Sequence, residues 1–134
     1  MLNARFIQSL HLISEGRKDS FWEEFWSTAS RDVRLEAIKA IEVMAVHLHD
    51  VGKAEKGMLI LVEATHKLSE VEIGELYLHM HYTSWFNARW YLLSKVNINT
   101  LYALKFSIAV RNACRGVSYG VVTAAALWLL ATLI

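Results

Sequence analysis

Residues 116–134 read GVSYGVVTAAALWLLATLI and contain no charged side chain. Only Ser118, Tyr119, Thr123, Trp128 and Thr132 carry a polar side-chain atom there. Wound as an α-helix, residues 117–134 would rise about 27 Å at ~1.5 Å per residue, close to the ~30 Å hydrocarbon core of a bilayer. Gly116, Gly120 and Ala124 recur every four residues on one helical face. That small-residue spacing lets two helix backbones approach closely in lipid. The run therefore predicts a C-terminal hydrophobic helix. It either spans a membrane beside a partner helix or lies buried in a core or between subunits.

Outward from that run, a chain of 134 residues is one domain by length, with room for one hydrophobic core. The 54% hydrophobic content and the mean hydropathy of +0.27 exceed what a soluble domain usually shows, and residues 116–134 account for much of the excess. Lys and Arg number 14 against 13 acids, so the overall charge does not favour nucleic acid as a partner. The single Cys, Cys114, forms no internal disulfide, and the fold therefore does not depend on an oxidising compartment. Arg5 interrupts the first apolar run and no small-residue cleavage site follows it, which places any membrane-insertion signal at the C-terminal end.

The chain has no Pro and only six Gly, which removes most of the turn punctuation a β-rich fold needs. Helices are the expected element throughout. Residues 3–14 place Phe6, Ile7, Leu10 and Ile13 at helical spacing, and Gly16 is a plausible stop. Ser20 and Glu23 have capping-box spacing and open a segment with Phe21, Trp22, Phe25 and Trp26. Those aromatics either pack against neighbouring helices or form a headgroup-level anchor or partner site. Residues 32–50 form the clearest amphipathic helix: Ile38, Ile41, Ala45 and Leu48 make one stripe, and Glu36, Lys39, Val43 and Asp50 turn away from it. Gly52 ends it. The apolar run 58–64 is too short to span a bilayer and reads as a buried helix.

Ser69 and Glu72 repeat the capping-box spacing and predict one long helix over residues 69–94, with Tyr82, Trp85, Phe86, Trp90 and Tyr91 in its second half. His79, His81, Asn87 and Arg89 make that half unsuited to spanning a bilayer. Asn97, Asn99 and Thr100 can cap a further helix over residues 101–113. The expected fold is all-α, a bundle of five to seven helices, with residues 1–115 as a helical domain and residues 116–134 as a membrane or oligomerisation helix. Lys95, Lys105, Arg111 and Arg115 precede the uncharged run, which by the positive-inside bias places residues 1–115 on the cytoplasmic side.

Six His residues, at 11, 47, 49, 66, 79 and 81, raise the question of metal. Successive helical residues are ~100° apart, so His47 and His49 point apart, as do His79 and His81. Glu63 and His66 have the Glu-x-x-His spacing of di-iron helices, but no second such motif exists. Glu72, Glu75 and His79 share a helical face, either as a ligand column or as a polar stripe meeting water.

The sharpest motif is residues 48–53, Leu-His-Asp-Val-Gly-Lys, at the end of an amphipathic helix. It resembles the signature of the HD superfamily of metal-dependent phosphohydrolases. Lys67, Leu68, Ser69, Glu70, Glu72 and His79 continue a pattern similar to the HD-GYP branch, so the resemblance covers roughly residues 36–79. It implies His49, Asp50 and His79 as ligands of a divalent metal and Lys53 as a contact to substrate phosphate. The metal would generate the nucleophile from bound water. His11 is the only His upstream of the amphipathic helix, no Asp follows Asp50, and the branch's glycine-rich signature is absent.

No Walker loop, dinucleotide fingerprint, nucleophile elbow or paired-Cys site occurs. Two expectations result. The first is a small membrane-anchored helical protein that acts in assembly, as a structural subunit, adaptor or pore-type oligomer, without cofactor or catalysis. Its partners are membrane lipid and further copies of itself or other subunits. The alternative is an HD-type phosphohydrolase or a metal-free descendant of one.

Overall fold

Short polar side chains open α-helices at four places, Asn3, Asp19, Ser30 and Ser69. Asn3 accepts the Phe6 N–H at 3.1 Å and starts α1 (Ala4–Ser14). Gly16 then adopts φ +75°, a left-handed turn that costs other residues strain, and lets Arg17 N–H return to the Leu12 carbonyl at 3.0 Å. These positions come from a computed structural model that describes residues 3–115 and 128–133. The expected helix contact through Gly116, Gly120 and Ala124 lies outside the described residues.

Asp19, not Ser20, caps α2 (Ser20–Thr28) by accepting the Phe21 N–H. The capping box expected from Ser20 and Glu23 does not form, because Asp19 already stands before the helix and also holds Arg5 through two bonds of 3.1 and 2.7 Å. Ser30 caps α3 (Arg31–Asp50), and Gly52 at φ +82° turns the chain into α4 (Ala54–Thr65). Ser69 and Glu72 make the full capping box that opens α5 (Glu70–His79).

The long helix expected over residues 69–94 is two helices. A 3-10 turn at Met80–Tyr82 and an extended Thr83 separate α5 from α6 (Phe86–Leu93). Neither Pro nor Gly announces this break. Thr83 N–H and its hydroxyl both bond the Met80 carbonyl, a local alternative to continuing the helix. Burial of Met80 and Trp85 on either side holds it open. The last long element is α7 (Ile98–Arg115), and residues 128–133 are also helical. Among the described residues every regular element is a helix, and none is long and apolar enough to cross a membrane.

The chain divides into two compact units, Met1–Asn97 and Ile98–Ile134. The first holds α1 to α6 around one core. The expected stripe on α3 is in place: Ile38, Ile41 and Ala45 are buried, while Glu36, Lys39, Val43 and Asp50 are exposed. Phe6 sits at the centre of the aromatics of α2, its ring centroid 4.7 Å from Phe25, 6.0 Å from Trp22 and 6.1 Å from Trp26. Packing of this kind accounts for Trp22 and Trp26, which are buried, with Phe21 and Phe25 half-buried beside them. Removing a side chain such as Phe6 from a site of this kind costs about 3–5 kcal/mol.

The tightest helix pair is α3 with α4. Its close approach depends on Gly57, where a Cβ would stand 2.8 Å from both the Ala45 carbonyl oxygen and Trp85 Cη2. Gly57→Ala should therefore destabilise the first unit by about 1–3 kcal/mol despite Ala's better helix propensity. A lowered urea midpoint checks this, and an unchanged or raised midpoint would contradict the packing.

A second dependence is ionic. Arg34 binds Glu72 through Nε at 2.8 Å and Nη2 at 2.6 Å, and this hydrogen bonding holds the Glu72 carboxyl below the usual carboxylate range. A carboxyl with a lowered folded-state pKa stabilises the fold above its unfolded pKa of about 4.3, and that contribution is lost as pH falls through the lowered value. Denaturation midpoints measured over that acid range should fall less steeply with pH in Glu72→Gln than in the wild type.

Candidate functional site

The last turn of α3 carries the residues singled out by the HD resemblance. His49 Nδ1 lies 3.2 Å from Asp50 Oδ1, and the His49 ring stacks on Trp85 at a centroid distance of 4.7 Å with 19° between planes. Trp85 thereby stands between His49 on α3 and Gly57 on α4. Lys53, in the turn after Gly52, is exposed, and its charge helps lower the pKa of Glu15 after the larger effect of Lys56.

His79 ends α5 and is exposed. Among the described residues no group of three or more His, Cys, Asp or Glu is placed to hold a metal, so His49, Asp50 and His79 are not brought together. The column suggested by Glu72, Glu75 and His79 is likewise divided, because Glu72 turns to Arg34 and to the Ser69 backbone. Glu63 and His66 approach each other at 4.0 Å on the surface of α4.

The structure adds a group that the sequence reading did not single out. Glu42 lies two helical turns before His49 on α3 and is only 8% exposed. Tyr82 donates its phenol to Glu42 Oε1 at 2.6 Å. That hydrogen bond, with smaller contributions from desolvation and the Glu42 and Asp50 charges, pushes the Tyr82 phenol up to about 12. The segment between α5 and α6 thus supplies Tyr82 to a buried carboxylate and Trp85 to an imidazole. A period-3.6 reading through residues 69–94 hides both contacts. An acid at position 42, one residue from Ile41 and three before Ala45 on the apolar stripe, was the available signal.

On the other side of the same break, Tyr77, Phe86, Arg89, Trp90 and Leu93 line a groove of about 200 Å³ between α5 and α6. Tyr82, Phe86 and Trp90 are 70%, 61% and 68% exposed, high values for large aromatic side chains. The groove has largely apolar walls and one guanidinium. The His49–Asp50 pair is an imidazole–carboxylate contact beside a stacked indole.

Compared with known proteins, the chain matches no family model, and no curated protein or solved structure is detectably similar to it.

The Glu42–Tyr82 bond is directly measurable. Spectrophotometric titration of the wild type should show one phenol ionising near 12. In Glu42→Gln that phenol should move back toward the ordinary value of about 10. Superimposable curves for the two proteins would show that the bond is not held in solution.

Proposed function

We propose that the protein is a small membrane-anchored helical protein whose work is assembly, as a subunit, adaptor or pore-type oligomer, rather than catalysis. The observation that carries this reading is the uncharged run at residues 116–134, preceded by Lys95, Lys105, Arg111 and Arg115. An apolar stretch of that length suits a bilayer, and the preceding cations favour the cytoplasmic side for residues 1–115. Gly116, Gly120 and Ala124 are the expected contact with a partner helix, most simply a second copy.

Helix α7 gives the reading independent support. Ile98, Tyr102, Phe106 and Val110 recur every four residues and are all exposed, with Ala103, Ala109 and Ala113 on the same arc of the helix. Contiguous apolar surface of this kind marks contact with a partner or with lipid. The aromatic surface of α6 has the same character. The phosphohydrolase alternative has the His49–Asp50 contact in its support and, among the described residues, no third ligand beside it.

Carbonate washing of cell membranes should leave the protein in the membrane fraction; release into the soluble fraction would overturn the anchor. In detergent, Gly120→Leu should shift the oligomer toward the monomer, because the larger side chain holds the helix backbones apart. An unchanged oligomer size would remove the proposed contact.

A further inference from the structure

Taken by itself, the second unit, Ile98–Ile134, carries no Asp or Glu, while Lys105, Arg111 and Arg115 give α7 three cations. The helix has sides of different character. At ~100° per residue, Ile98, Tyr102, Phe106 and Val110, with Ala103 and Ala109, fall within about 140° of one another. All six are exposed, and Asn99 in the first turn is the one polar residue on that arc. Leu101, Leu104 and Ile108 share another side and are buried or half-buried, so the packing of α7 does not use the arc. By the same geometry Lys105 borders the arc beside Ile98, and Arg111 lies across the helix from it. Both cations are exposed.

Charge separates the occupants that an apolar helix face can have. The bilayer interior does not suit α7, since among the described residues no helix is long and apolar enough to cross a membrane. Lys105 and Arg111 would also have to enter hydrocarbon. A second copy of α7 would set cations against cations, with no carboxylate on either helix to offset them. An anionic lipid surface satisfies both sides of the helix. The apolar arc sinks to the boundary of headgroups and acyl chains, where rings such as that of Tyr102 are favoured. Lys105 can then reach headgroup phosphate on its long stem from the edge of the arc.

We infer that α7 lies flat on anionic phospholipid, with Ile98, Tyr102, Phe106 and Val110 seated below headgroup level and Lys105 paired with lipid phosphate. The inference deepens the membrane-anchored reading and rests on it for the proximity of the bilayer, because the uncharged run begins directly after Arg115. A neutral lipid surface would receive the apolar arc alone. The negative cytoplasmic leaflet also attracts each juxtamembrane Lys or Arg, and α7 has no acid to oppose that attraction.

The test uses the full chain with Cys114→Ser and one nitroxide label, attached through Ala109→Cys on the arc or through Ser107→Cys away from it. Both positions are exposed. Each protein is reconstituted into vesicles of phosphatidylcholine alone and of phosphatidylcholine with phosphatidylserine. On the phosphatidylserine vesicles the label at 109 should collide readily with oxygen, which concentrates in lipid, and rarely with a water-soluble nickel chelate. The label at 107 should show the reverse. Lys105→Gln should lower the ratio of lipid-seated to water-exposed label at 109 roughly five-fold, the effect of one surface cation. Phe106→Ser, at an exposed position, should lower it as well.

Equal seating on both kinds of vesicle would overturn the requirement for anionic lipid. A label at 109 open to the nickel chelate on both would overturn the lipid contact. A label shielded from oxygen and chelate alike would overturn it too, because that pattern reports protein on the arc, such as a second copy. Carbonate washing of the same vesicles separates this inference from the reading beneath it. Protein that stays bound with its 109 label in water keeps the anchor and loses the contact. Protein that washes off after showing phosphatidylserine-dependent seating keeps the contact and loses the anchor.

Discussion

The guanidinium of Arg34 joins three parts of the first unit at one point. From the first turn of α3 it donates to the Trp26 carbonyl at the end of α2, at 2.6 Å, and to the Lys67 carbonyl between α4 and α5, at 3.3 Å. It also grips both oxygens of Glu72 and lies over the Trp26 ring. Half-buried charge is costly unless its donors are used, and here the fork is well supplied with acceptors. Glu72 contributes twice, since the carboxylate that receives Arg34 also closes the capping box on Ser69. The start of α5 is thereby tied to α3, and the rest of the first unit after α5 inherits its position.

What it inherits is the break at residues 80–85. Met80 and Trp85 enter the core, and between them the chain leaves helical geometry. One local departure then creates two surfaces of different chemistry. Toward α3, Tyr82 meets Glu42 and Trp85 meets His49. Along α6, Phe86 and Trp90 face outward beside Arg89. A continuous helix over residues 69–94 would keep these aromatics on a single rod. The acid and imidazole of α3 would then lack the partners that now cover them.

The same packing explains why the residues of the HD resemblance do not assemble. His49 and Asp50 are neighbours at a helix end, where their contact requires only local geometry. His79 depends on how α5 ends, and α5 gives way to the 3-10 turn directly after it, with His79 left exposed. The indole of Trp85 stands on the His49 ring instead. What the described residues do present is a set of exposed aromatics on α6 and an apolar arc on α7, the features the proposed assembly role would use.

Helix identity was legible in the sequence because it depends on short-range chemistry. The stripe of Ile38, Ile41 and Ala45, the capping box of Ser69 and Glu72, and the left-handed stops at Gly16 and Gly52 act within a few residues of themselves, and each stands where the pattern placed it. Asp19 displaced Ser20 as a cap because a longer-range partner, Arg5, helps hold its carboxylate there. The interruption at residues 80–85, the Tyr82 bond to Glu42 and the stacking of Trp85 on His49 were decided only in three dimensions. Each joins residues far apart in the chain, and no periodicity records how α5 and α6 must part to bury Met80 and Trp85 against α3 and α4.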